Sequence, residues 1–223
     1  MHKLLFSAII SLFFLMSNVN TPLPKLFVIG DSISIQYGPY LEQYLDGFYR
    51  YDRKRDDGKD SQDLDQPQGA NGGDSGMVLE YLQKKREDPT FAPDILLLNC
   101  GLHDIKRDPE SGEIQVSITQ YEENLRSIYA LAVEIGTKVV WVRTTPLDEE
   151  RHNNRSTSFH RFEKDLMQYN EVGDKVGKEF GAEIIDLHRF TENLGSETFV
   201  DHVHFDEGTR SLQAAFIAGF LIK

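Results

Sequence analysis

Four short segments hold residues whose types and spacing could do chemistry. The first is Gly30-Asp31-Ser32, at the end of the apolar run Lys25–Gly30 and ahead of a helical pattern. A serine at a strand end stands where open α/β sheets bind ligands. Backbone N–H groups and the helix dipole favour negative charge at the same place, and Gly30 permits the tight turn. The tripeptide also serves as an ordinary helix cap, and the chain repeats it at Gly73-Asp74-Ser75 with no strand before it. The second segment is Asp201-His202-Val203-His204, just ahead of the last helical pattern. A serine nucleophile needs a general base, and the base needs an orienting carboxylate. Three residues apart in a tight loop, Asp201 could reach His204. The plainer alternative is a solvated polar loop in which Asp206 caps the following helix.

The third segment, Asn99–Asp104 (NCGLHD), follows the apolar run ILLL. A donor there could reach the oxyanion of a tetrahedral intermediate, or the segment could be turn chemistry alone. The fourth, Asn71–Gly76 (NGGDSG), opens a helix. Its glycines would let backbone N–H groups approach an anion, or simply make a flexible connector. Three further groups compete for a role. His202-Val203-His204-Phe205-Asp206 has the spacing of a metal site. However, the next residue is Glu207 rather than histidine, and His152, His160 and His188 lack ligand spacing. Arg143 follows the run Thr137–Val142 on the sheet edge that carries the other segments, as a substrate contact or a plain loop start. Cys100, the only cysteine, excludes a disulfide within the chain and reads as a small buried residue.

These segments must be positioned by regular elements. Buried strands are expected at Lys25–Gly30, Asp94–Asn99, Thr137–Val142 and Ala182–Ile185, with a short one at Phe48–Tyr51. Helical periodicity marks Tyr37–Leu45, Met77–Leu82, Ile118–Ile135, Phe159–Phe180 and Thr209–Ile222. The alternation implies one three-layer α/β domain with a parallel sheet, and 223 residues suit a single domain. Tyr51–Gln68 is polar and charged and reads as a solvated loop. The net charge of −12 opposes a nucleic-acid partner, and no basic stripe offsets it. Residues 4–16 are an apolar run behind His2 and Lys3, too short for a comfortable membrane span. Residues 1–21 are therefore expected to be a signal peptide and 22–223 the functional domain, with secretion or periplasmic export. An uncleaved N-terminal membrane anchor is the alternative; after cleavage no stable membrane association is expected.

In chain order, the four segments resemble the GDSL/SGNH hydrolase family over nearly all of residues 25–223. VIGDSIS resembles its first block, NGGDSG its second, Gly101-Leu102-His103-Asp104 its third and Asp201-x-x-His204 its last. The resemblance implies a three-layer α/β/α sandwich with a central parallel sheet of about five strands, a flavodoxin-like fold. It implies a serine esterase with Ser32 as nucleophile, His204 as base and Asp201 as its orienting acid. The oxyanion hole it implies comprises the Ser32 N–H, the Gly76 N–H (Gly73 competing) and His103. Asp31 would brace the nucleophile turn. His103 departs from the asparagine usual in the third block; its ring can donate in the same way if the facing nitrogen carries hydrogen. No cofactor or metal is implied. The expected substrate is a small-molecule or glycan ester, acetyl by preference; a lipase or thioesterase of the same family and a non-catalytic carbohydrate-binding protein are the alternatives.

Overall fold

The computed structural model describes residues 22–55 and 67–222. The segment expected as a signal peptide lies outside the described residues, as do positions 56–66 of the expected polar loop. Among the described residues, five strands form a sheet: β1 (Lys25–Ile29), β2 (Arg50–Arg53), β3 (Ile95–Leu98), β4 (Lys138–Val142) and β5 (Glu183–Ile185). Their spatial order is β2-β1-β3-β4-β5, and every neighbouring pair is parallel. Leu26 pairs with Ile95 and Ile29 with Leu98, so β1 and β3 end level with each other. The inner strands are apolar without alternation because both of their faces are covered. Leu26, Val28, Leu96, Leu97, Leu98 and Trp141 are all buried.

Seven α-helices connect and cover these strands among the described residues. They are α1 (Ser32–Tyr44), α2 (Ser75–Arg86), α3 (Ile118–Glu134), α4 (Glu149–Arg155), α5 (Glu163–Glu179), α6 (Leu187–Glu192) and α7 (Glu207–Leu221). Right-handed crossovers place α1, which leads from β1 outward to β2, on the face opposite α2, α3 and α5, which lead back across the sheet. The packing agrees: α1 and α6 lie on α7, whereas α2 and α5 lie on α3. The result is the three-layer α/β arrangement expected from the alternation of patterns.

Of the elements that depart from expectation, two bear on the site. The helix expected from Phe159 begins only at Glu163, because Phe162 is extended (φ −127°, ψ 134°) and His160 forms a β-bridge with Arg107. The helix expected from Tyr37 begins at Ser32, where Asp31 caps it. Between β1 and β3 the strand order reverses, and such a switch point opens a crevice beyond the strand ends. Ser32 follows β1 and His103 follows β3, so both stand at that crevice.

Candidate active site

The nucleophile turn is built by Asp31. Its Oδ1 accepts the Ile33 N–H at 3.0 Å, and its backbone carbonyl accepts the Ser34 hydroxyl at 2.7 Å. That carboxylate is buried with Oδ2 unpartnered among the described residues, and burial raises its pKa despite the capping hydrogen bonds. Asp31 thus occupies the cap and leaves Ser32 as the first helical residue. The Ser32 N–H consequently has no acceptor within the helix. Gly72 lies against this turn, its N–H on the Gly30 carbonyl at 2.8 Å. A Cβ at Gly72 would come within 3.1 Å of that oxygen, a tight contact that glycine avoids.

His204 arrives from the other end of the chain. Its Nε2 lies 2.8 Å from the Ser32 hydroxyl oxygen, and its Nδ1 lies 2.7 Å from Asp201 Oδ2. The other carboxylate oxygen, Asp201 Oδ1, accepts the N–H groups of Val203 and His204, each at 2.8 Å. Burial alone would raise the Asp201 carboxyl. The His204 ring and the two N–H groups outweigh it and hold the carboxyl well below its usual range. The structure therefore joins Ser32, His204 and Asp201 in one hydrogen-bonded chain. An arrangement of this kind can carry a proton from a hydroxyl to an imidazole whose orientation is fixed.

His103 lines the same cleft as Ser32 and His204. Its ring is buried, with Nδ1 unpartnered among the described residues. Burial first, then the cations of Lys106 and Arg161 and His204, push its pKa well below the ordinary value. The ring is accordingly neutral near pH 7 and carries a single N–H. Next to it, Asp104 accepts the Ser75 N–H at 2.9 Å and also the Ser75 hydroxyl at 2.5 Å, tying the end of β3 to the start of α2. The Asn124 amide completes that buried network with a 2.9 Å bond to the Ser75 hydroxyl.

Several residues singled out in the sequence are placed elsewhere. Gly76 sits in the first turn of α2 facing Asp74 and Asn124, and it does not line the cleft. Gly73, the competing choice, has positive φ (72°) and places its N–H on Asn71 Oδ1 at 2.9 Å. Arg143 is engaged by two carboxylates, Asp174 and Asp186, and does not reach the cleft. The metal spacing does not assemble either. His204 is committed to Ser32 and Asp201, Asp206 caps α7 through Thr209, and His202 packs at a tilt against His152 with ring centres 4.4 Å apart. Among the described residues no group of three or more histidine, cysteine or acidic side chains could hold a metal ion.

What the sequence reading missed is the wall opposite the serine. The polar segment between β4 and α5 folds back over the Asp201 loop. The Asp148 N–H bonds the His202 carbonyl at 2.8 Å, and Arg151 bonds the Asp201 carbonyl at 2.7 Å. From this segment Phe159 and Arg161 enter the cleft, beside Leu102 and His202. The only signal in the sequence is an aromatic and basic cluster, SFHRF at 158–162, inside an otherwise polar stretch.

Residues 28–208 match the model of the GDSL-like lipase/acylhydrolase family. The chain belongs to that family, and its class is that of the acyl-ester hydrolases. No curated protein sequence matches it. Solved structures share the fold at low identity. A lipase/acylhydrolase from Enterococcus faecalis is 18% identical with a TM-score of 0.67, over 90% of this chain and 96% of the other. An acetyl xylan esterase is 16% identical with a TM-score of 0.64, over 89% and 100% of the two chains. An acetylxylan esterase from Geobacillus stearothermophilus is 18% identical with a TM-score of 0.62, over 87% and 92%.

Proposed function

We propose that the protein is a serine esterase that removes small acyl groups, acetyl by preference, from hydroxyl-bearing substrates such as carbohydrates. The observation that carries this reading is the hydrogen-bonded chain from Ser32 through His204 to Asp201 at the sheet's switch point. His204 Nε2 takes the hydroxyl proton as the Ser32 oxygen attacks the ester carbonyl. Asp201 holds the imidazole tautomer and stabilises the ring once it is charged. The Ser32 N–H and the neutral His103 ring are the donors that we assign to the developing oxyanion. With the alcohol expelled on the His204 proton, water attacks the acyl-serine by the same route.

The preference for a small acyl group rests on space. The cleft is narrow and five of its eight described lining residues are polar, so these offer no apolar channel for a long acyl chain. The two acetylxylan esterases of the same fold are consistent with that choice. The test is a panel of p-nitrophenyl esters of increasing chain length, with acetylated sugars, run on wild type and Ser32→Ala. Acetate should be turned over fastest, and Ser32→Ala should lose about 10⁴-fold or more in kcat. Equal rates in the two proteins would remove Ser32 from the chemistry.

A further inference from the structure

We propose that Arg161 is a substrate-binding residue that selects esters carrying a carboxylate close to the scissile bond. This inference rests on the esterase reading above and deepens it by naming a substrate class. Arg161 is buried and lines the cleft together with Ser32 and His204. Its guanidinium is held in place on several sides. Nε donates to the Leu102 carbonyl at 2.8 Å. The planar group lies over the Phe159 ring, 4.8 Å from its centre, and Lys106 Nζ lies 4.7 Å from the same centre. The Arg161 backbone is clamped as well, its N–H on Asn153 Oδ1 at 3.0 Å and its carbonyl on Asn153 Nδ2 at 2.9 Å. A long, flexible side chain has thus been given a fixed plane before any substrate arrives, and preorganisation of this kind lowers the cost of binding.

The electrical setting points the same way. The whole chain carries a charge of −12. In contrast, among the described residues that line this cleft the guanidinium is the permanent charge, beside a hydroxyl and three imidazoles of which His103 is neutral. A fixed positive charge at a cleft in an otherwise acidic chain favours an anionic group there. The guanidinium fork matches a planar carboxylate in a way that an ammonium does not. Because Arg161 and Ser32 share one small cleft, the anion must lie within a few bonds of the ester. An O-acetylated hydroxy acid, including an acetylated uronic-acid residue, has that geometry.

The probe is a matched pair, O-acetyl-lactate and O-acetyl-lactamide, which differ in charge and hardly in shape. Phenyl acetate serves as the uncharged reference ester for an active preparation. Wild type should favour the lactate by about 30-fold or more in kcat/KM, mostly through KM. In Arg161→Met that ratio should collapse towards one, because the lactate loses far more than the amide. Arg161→Lys should keep part of it, since the charge remains and the fork is lost. Wild type that hydrolyses phenyl acetate but handles lactate and lactamide alike would overturn the inference and leave the esterase reading standing. So would an Arg161→Met variant in which both esters fall by the same factor. Failure of wild type to hydrolyse any of the three esters would instead overturn the esterase reading, and this inference with it.

Discussion

At the scale of single residues, His103 carries the sharpest question. In the proposed mechanism it serves as a neutral side-chain donor, and its depressed pKa keeps it neutral through the physiological range. An asparagine there would also present an N–H, and an alanine would present none. His103→Asn should therefore keep substantial turnover of an aryl acetate, while His103→Ala should lose about 100-fold or more in kcat. Indistinguishable rates for the two variants would take the ring out of the reaction. The juxtaposition of Ser32, His204 and Asp201, which the structure joins by hydrogen bonds, was legible in the sequence because its signal is local: a serine at a strand end, and Asp201 and His204 three apart. The glycine assignment was not legible. Several glycines fall in one short segment, and which N–H faces the crevice depends on a turn that Asn71 bends by accepting the Gly73 N–H.

At the scale of elements, the sheet and its covering helices follow from periodicity, and the joints between them from small residues. Gly173 in α5 lies against the Trp141 ring of β4, where an added Cβ would fall 2.4 Å from the indole. Neither partner can yield, since Trp141 is fully buried. Gly173→Ala should cost about 1–3 kcal/mol of stability, read as a lower urea midpoint; an unchanged midpoint would show that α5 can shift outward freely. The strands were readable because buried parallel strands are continuous apolar runs. By contrast, α4 and the extended segment after it were not, because they follow no apolar period. Their conformation is set by distant partners: the Arg107–His160 bridge, the Arg107–Asp165 ion pair at 2.6 Å and the Asp201 loop. Arg161 stayed hidden for that reason, since nothing near it in the chain announces the cleft it enters.

At the scale of the whole molecule, two buried groups pull stability in opposite directions with pH. Burial pushes the Asp104 carboxyl up from 3.8 to about 7. Between those values the unfolded chain holds fewer protons than the native one, so stability falls as pH rises. Burial, with Arg161 and His202 adding to it, pushes His152 down from 6.5 to about 3. Across that window the unfolded chain holds more protons, so stability falls as pH drops. The two effects oppose each other over the window they share. In Asp104→Asn the urea midpoint should thus climb more steeply from about pH 4.5 to 6.5 than in wild type, and in His152→Phe less steeply. Slopes identical to wild type in both variants would mean that neither group titrates as its burial dictates.

The separation of Ser32 from His204, 172 residues along the chain, reaches beyond the finished enzyme. The hydroxyl leaves the ribosome 172 residues ahead of the imidazole, so a nascent chain cut between them lacks the base proposed for it. During synthesis the serine is therefore a silent hydroxyl. In the proposed mechanism, hydrolytic competence arrives only when α7 docks on α1 and brings the imidazole to the hydroxyl.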